Sequence, residues 1–303
     1  MPLTLHQVVF PSMGNTANLT VIGSDELVDH ARRRLGELES RWSRFVPSSD
    51  VSRLNRSGGR ATPVHADTVT LVRYLVDAQR RTNGRFDPTL APALNELGYS
   101  TSRTNPTRSC EVGGSSVAVV DLTTTHIDER FDAVTLPFGA TLDAGGLGKG
   151  LAADIVAREL MELGADGVCV SLGGDIRCMG TGPVDGHWTI DVARPDDSSA
   201  ILCTVELSDG AIATSSVRAK QWVSDGRDMH HVIDPSTSRP LATMPGSIVQ
   251  STVIAAEAVW AEVFATVALV DQSTLNCEPV ACLVARADGT IDHNHQWKDF
   301  VRE

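Results

Sequence analysis

Apolar residues recur along this chain with two periods. Near the start, the runs Val8–Phe10 and Ala17–Ile22 predict strands flanking a turn at Ser12-Met13-Gly14. From Glu26 to Phe45, Leu27, Ala31, Leu35, Leu38 and Trp42 recur at threes and fours, which predicts a helix, with Ser24 and Asp25 as its cap. Asp67 to Thr82 predicts a second helix through Val69, Val72, Leu75, Val76 and Gln79, stopped by Asn83-Gly84. Residues 100–115 are rich in Ser, Thr, Asn, Pro and Gly and predict a surface loop.

Beyond that loop the apolar runs are short and β-like: Ser116–Val120, His126–Asp128, Ala133–Thr135 and Ala140–Asp143. A helix is predicted from Leu147 to Leu163, ended by Gly164. Strands follow at Gly167–Leu172, Ile176–Met179, Trp188–Val192, Cys203–Leu207 and Ala211–Thr214. A last helix, Ala255–Val270, precedes a strand at Val280–Ala285 and a polar tail. Helices in clusters and strands in meanders predict an α+β fold. Composition is similar on both sides of the 100–115 loop, so 1–303 reads as a single domain.

Composition narrows the partners. The chain has 303 residues, enough to bury a core without disulfides or a structural metal. With 26 basic against 38 acidic residues the net charge is −12, which argues against nucleic acids and anionic membrane surfaces. A small anionic ligand would need local positive charge from helix N-termini, one lysine or a bound cation. The opening MPLTLHQVVFPSMG lacks a basic, then apolar, leader, and no apolar run approaches a membrane span. The six cysteines form no C-x-x-C pair. The expectation is a cytoplasmic protein with reduced thiols and no membrane anchor.

The densest candidate for chemistry is Thr141-Leu-Asp-Ala-Gly-Gly-Leu-Gly-Lys-Gly-Leu-Ala-Ala-Asp154, with four glycines around Lys149 at the start of a helix. Such a start can hold an anion, and the same glycines would equally serve a close crossing of backbones. It matches neither a Walker A loop nor a Rossmann fingerprint. A second cluster, Ser171-Leu-Gly-Gly-Asp175-Ile, reads as a tight turn between strands. In Asp225-Gly-Arg-Asp-Met-His-His-Val-Ile-Asp-Pro235, strand alternation would put His231 and Ile233 on one face, with His230 and Val232 on the other. His293 and His295 read as a solvated tail. In the last helix, Glu262 and Thr266 share one face at i, i+4, where they could ligate a hard cation or bond within the protein.

In this order the segments resemble the ApbE family of flavin transferases, which move FMN from FAD onto a protein threonine. Ser12-Met-Gly14 resembles the family's M-G-T, and Ser43-Arg-Phe45 through Ser52-Arg-Leu-Asn55 resembles S-x-[FY]…S-x-x-N. Thr82-Asn-Gly-Arg-Phe-Asp-Pro88 matches T-x-G-x-F-D-P. Asp143–Asp154 resembles D-L-G-G-I-A-K-G-Y-A-x-D, and Ser171–Ile176 resembles D-L-G-G-D-I. His231–Pro240 resembles H-I-I-D-P-x-T-G-x-P, and Ala261–Thr266 resembles A-D-A-L-A-T.

The resemblance implies a two-layer T-fold-like architecture with helices on a mainly antiparallel sheet. It implies FAD as donor substrate, Mg²⁺ as cofactor and AMP as leaving product. It places Met13, Phe45, Arg85, Phe86, Asp87, Asp143, Lys149 and Ile233 around FAD. Its metal ligands would be the Gly146 carbonyl and the Glu262 and Thr266 side chains. His231 is the expected proton acceptor, with Asp154 or Asp175 as the carboxylate alternatives. The expected acceptor is another protein carrying a D-G-x-[ST]-G-A-[ST]-like motif, because this chain lacks one. Ser216 and Ser238 stand where the family has Gly, and Glu262 where it usually has Asp. An Mg²⁺-dependent FAD pyrophosphatase giving FMN and AMP, and a non-catalytic flavin-binding protein, are the competing expectations.

Overall fold

A computed structural model describes residues 4–102, 107–110, 120–224, 226–273 and 278–302. Its helices are α1 (Glu26–Trp42), α2 (Asp50–Asn55), α3 (Ala66–Arg81), α4 (Ala91–Glu96), α5 (Gly148–Glu162) and α6 (Ala258–Asp271). The fold is α+β, and backbone contacts divide it into two compact units. The first comprises Met1–Gly36, Lys149–Ala219 and Ala242–Glu303; the second comprises Glu37–Gly148 and Lys220–Leu241.

The first unit is built on an eight-stranded antiparallel sheet. Its spatial order is Leu5–Ser12, Asn15–Ile22, Gly167–Leu172, Asp175–Gly180, Gly210–Ser216, Ile248–Ala255, Ala281–Arg286, Ile291–His293. Alternation assigns its two faces. Ile212 and Ile254 pair across strands and join a core with Trp188, Val192, Val205, Leu207 and Trp297, supplied by the Trp188–Ala193/Ile201–Leu207 hairpin and the 3₁₀ turn His295–Asp299. The alternate positions Ala211, Ala213 and Val253 are also buried, and α6 packs along their two strands. Helix α6, AVWAEVFATVALVD, is apolar all round, the pattern of a helix enclosed on every side. Gly150 of α5 meets it so closely that a Cβ there would collide with the Ala258 carbonyl. On α5, Glu159 is paired by Arg34 at 2.8 Å and His30 at 2.9 Å from α1.

The second unit holds α2, α3 and α4, a small sheet of Thr62–Pro63, Ala133–Thr135 and His126–Asp128, and two short hairpins, Gln221–Ser224/Arg227–His230 and Ile233–Asp234/Arg239–Pro240. Thr82 closes α3: its hydroxyl donates to the Ala78 carbonyl at 2.7 Å and accepts the Phe86 N–H at 3.0 Å. Asn83 follows in the left-handed region at φ 51.

Several sequence expectations change. Helix α1 stops at Trp42, leaving Phe45 outside it. Ala140–Asp143 is not a strand, because side chains and turns satisfy its backbone: Asn55 accepts from Leu142 N–H at 2.7 Å and donates to its carbonyl at 2.9 Å, while Asp143 N–H donates to Pro88. Helix α6 starts at Ala258 rather than Ala255, since the unforeseen strand Ile248–Ala255 occupies that residue. The extended run through His230 and Ile233 bends at His231, so a simple two-face alternation does not cross it. Of the 100–115 loop, Thr101 bridges to Ser109 and Cys110 N–H donates to Ser100; residues 103–106 and 111–115, like 116–119 of the expected Ser116–Val120 strand and Cys277, lie outside the described residues. His293 and His295 are exposed as expected, but Asn294 between them bonds the Cys282 N–H and the Val280 carbonyl.

The α5–α6 contact gives a direct test. Gly150→Ala forces two backbones apart, and we expect a loss of about 1–3 kcal/mol in urea unfolding. Gly36→Ala, which meets nothing within 4 Å and has ordinary helical backbone, should not destabilise.

Candidate active site

In the first unit, the free N-terminal end of α5 meets a carboxylate. Glu262, one turn into α6, accepts the Gly150 N–H at 2.7 Å, satisfying a helix donor that has no partner within its own helix. Lys149, next to Gly150, places its ammonium between Glu262 and Asp175 and bonds both. Asp175 stands at the start of its strand, after the left-handed pair Gly173-Gly174. The three side chains are 15 %, 5 % and 4 % exposed for Lys149, Asp175 and Glu262. Burial would push the Lys149 ammonium down, but the charges of Asp175 and Glu262 outweigh it and hold it above the usual lysine range. Burial and the Asp175 charge push Glu262 up, against the pull of Lys149 and of the Gly150 N–H. One cation thus faces two enclosed carboxylates, leaving a negative charge without a match inside the cluster.

Thr266, one turn beyond Glu262, joins its hydroxyl to that of Ser215 at 3.0 Å. Ser215 belongs to the Thr214-Ser215-Ser216 segment. Ser216 needs no glycine there: its hydroxyl donates to the Val249 carbonyl at 3.1 Å and accepts the Arg218 N–H at 3.1 Å. Asp154 is buried on α5 and caps α6, accepting the Ala258 and Val259 N–H groups at 2.9 Å each, with the Arg177 guanidinium 3.3 Å away. Burial pushes its carboxyl up to about 6, against those hydrogen bonds and Arg177. Both oxygens are thereby engaged in holding the helix that carries Glu262. Met13 sits at the Leu5–Ser12/Asn15–Ile22 hairpin tip with φ 50, followed by Gly14 at φ 70. That conformation is costly for methionine, and such strain concentrates at functional positions.

In the second unit, Arg44 organises the expected flavin-site residues. Its buried guanidinium donates to the Asn95 side-chain oxygen at 3.0 Å and the Tyr99 carbonyl at 3.0 Å, and lies 3.1 Å from Asp143. Its face covers the Phe45 ring at 4.2 Å. Phe45 meets Tyr99 edge-on at 6.2 Å, and Tyr99 stacks on Trp222 at 5.3 Å. Trp222 donates to the Leu97 carbonyl at 2.7 Å, which anchors the hairpin leading to His230 and His231. Asp143 also accepts the Gly145 N–H at 2.9 Å. Phe86 lies against Gly146, where a Cβ would come within 2.8 Å of the ring.

Asp87 is buried after Phe86. One oxygen accepts from Thr89 and Gln79, while the other, Oδ2, has no partner among the described residues. Burial raises its pKa against the pull of those bonds. A buried carboxylate oxygen left open suits a donor on a bound ligand. Arg85 is half-buried. His231 is half-buried, its N–H donating to the Lys220 carbonyl at 3.3 Å. Ile233 is buried and pairs with Pro240; Ser238 in the same hairpin takes φ 55, the backbone region for which the family supplies glycine.

A model of the ApbE family matches residues 13–277. The chain belongs to the ApbE family. Among the curated relatives of this ApbE-family chain, a FAD:protein FMN transferase of Vibrio cholerae is 27 % identical over 240 residues, covering 76 % of this chain and 72 % of the relative. That of Salmonella typhimurium is 27 % identical over 267 residues, covering 83 % and 74 %. Among solved structures, the ApbE protein of Thermotoga maritima superposes with a TM-score of 0.84 at 23 % identity, over 99 % of this chain and 100 % of that one. The apo flavinyl transferase ApbE of Pseudomonas stutzeri gives 0.79 at 23 % identity, over 98 % and 96 %. These structures share the α+β fold.

Sequence reasoning assigned no role to Arg44, Ser215, Tyr99 or Trp222. The Ser43-Arg-Phe45 segment drew attention to Phe45 alone, because nothing in a single sequence marks an arginine as buried. Removing it tests the arrangement. Arg44→Ala leaves the partly exposed Asp143 without its cation and removes the bonds to Asn95 and Tyr99, and we expect a loss of about 1–3 kcal/mol in urea unfolding.

His230 provides a pH test. Its Nε2 donates to the Leu241 carbonyl at 3.0 Å, and burial lowers its pKa from 6.5. The unfolded chain therefore takes up a proton that the folded chain refuses, and stability falls as pH drops from about 6.5 through the lowered folded value. His230→Gln should flatten that limb of the stability–pH curve.

Proposed function

We propose that this protein transfers FMN from FAD to a threonine or serine hydroxyl of an acceptor protein, releasing AMP. The observation that carries the proposal is the enclosed cluster of Lys149, Asp175 and Glu262, with its unmatched negative charge. A −12 protein that binds a diphosphate needs local positive charge, and the cluster supplies one lysine together with a demand for one more cation. The donor set agrees with Mg²⁺: Glu262 and Thr266 offer hard oxygens, and the resemblance adds the Gly146 carbonyl. Among the described residues no three or more His, Cys, Asp or Glu side chains gather as a metal site, so one carboxylate with neutral oxygens fits a cation that keeps several waters. When bound, Mg²⁺ would supply Lewis-acid stabilisation of charge on the diphosphate.

The chain's own residues then have separate tasks. Lys149 meets the diphosphate. Met13, Phe45, Arg85, Phe86, Asp143 and Ile233 line the donor, and the open Asp87 oxygen takes a hydrogen bond from it. The acceptor hydroxyl oxygen attacks the FMN phosphorus, forming a phosphoester as the P–O bond to AMP breaks. The hydroxyl proton passes to His231, since an imidazole is the side chain best suited to act as a general base near neutral pH. Asp154 serves through α6, with both oxygens on that helix's first N–H groups. The acceptor carries a D-G-x-[ST]-G-A-[ST]-like motif.

The decisive assay mixes the full chain, FAD and Mg²⁺ with a peptide bearing that motif. Covalent flavin on the peptide with equimolar AMP is expected. AMP formed equally well without peptide would instead establish a FAD pyrophosphatase, and intact FAD after long incubation a flavin binder. Glu262→Gln should abolish metal-dependent turnover while retaining FAD binding. His231→Ala should lower transfer by about 10²–10⁴-fold across pH 6–9, the usual worth of general-base catalysis; wild-type rates in that variant would remove His231 from the mechanism.

A further inference from the structure

The two charged groups assigned to different ligands hold each other in the structure. Lys149 is to meet the diphosphate and Glu262 the metal ion, yet the Lys149 ammonium bonds Glu262 Oε1 while Gly150 N–H occupies Oε2. A carboxylate bonded to an ammonium is not presented at full strength to a metal ion. An ammonium bonded to two carboxylates is likewise not presented at full strength to a phosphate.

We propose that Lys149 is a resident counter-ion that alternates between Glu262 and the FAD diphosphate, pivoting on Asp175, so that metal and FAD binding favour each other. The proposal rests on the function proposed above. An ammonium has three N–H donors, so Asp175 can hold one of them in both states. When a divalent cation takes Glu262, it repels the ammonium, and the diphosphate offers a replacement partner. When the diphosphate draws the ammonium away, Glu262 is left as a buried carboxylate without its cation, which raises its demand for a metal ion. Coupling of this kind is reciprocal: each ligand tightens the other by the same factor. Asp175 is a positioning residue that acts through Lys149.

The test titrates Mn²⁺ as the metal probe, reading the free ion by its paramagnetic resonance, with and without FAD. It uses full-length wild type, Lys149→Met and Asp175→Asn. In wild type FAD should tighten Mn²⁺ binding by about tenfold, within the range typical of coupled sites. Lys149→Met should bind Mn²⁺ more tightly than wild type without FAD and gain nothing from FAD. Asp175→Asn should bind Mn²⁺ more weakly without FAD, because the ammonium then falls wholly to Glu262. Opposite shifts separate this device from a general loosening of the site, which would weaken both variants.

Weaker or unchanged Mn²⁺ binding by folded Lys149→Met, or full FAD coupling in that variant, overturns the proposal. If circular dichroism shows Lys149→Met unfolded, Lys149→Gln takes its place under the same criteria. Flavinylation of the acceptor peptide by the wild-type preparation is scored separately. Its absence would sink the transferase reading while leaving the Mn²⁺ data to decide the coupling.

Discussion

Enclosing two carboxylates with a single ammonium is the constraint on which the first unit's chemistry depends. Charges taken out of water are tolerated only when matched and hydrogen-bonded. Lys149, Asp175 and Glu262 are hydrogen-bonded but not matched in number. The surrounding structure holds them in place all the same. Helix α6 presents Glu262 from an apolar cylinder fixed by Asp154, and α5 presents Lys149 from an end pressed against α6 at Gly150. Packing keeps the charges together, and their imbalance makes the place receptive to a further cation.

The second unit solves a different problem, that of holding aromatic and acidic groups in fixed directions. One guanidinium does this by using its edge and its face. The edge donates to Asn95 and the Tyr99 carbonyl and pairs with Asp143, while the face carries Phe45. Lysine could not replace it, since an ammonium has neither the fork nor the plane. Tyr99 and Trp222 extend the same stack to the hairpin that precedes His231.

Much of this was legible in the sequence. α3 showed itself through apolar periodicity and α5 was read as a helix stopped by Gly164, and their limits moved by only a residue or two. The family motifs drew attention to Lys149 and Glu262, which the structure brings into contact. Ile248–Ala255 escaped because both of its faces are buried and Gln250, Ser251 and Thr252 break the apolar run, so neither alternation nor continuous hydrophobicity marked it. Ala140–Asp143 looked like a strand because it is a short β-like apolar run, but the partner of Leu142 is the Asn55 side chain, 87 positions away along the chain. Arg44 was invisible for a related reason: its role lies in contacts with Asn95, Tyr99 and Asp143, none of them its neighbours in sequence.

The order of strands in the eight-stranded sheet also bears on how the protein comes into being. The strand Asn15–Ile22 has as its inner neighbour Gly167–Leu172, and the sheet closes with strands drawn from residues 248–293. On a ribosome, the first hairpin must wait for well over a hundred further residues before that neighbour exists. At about 5–20 residues per second this is a delay of many seconds with an unpaired sheet edge exposed. Such distant pairings also slow folding after release. The nascent hairpin Leu5–Ile22 therefore spends that interval with an edge that a chaperone could cover.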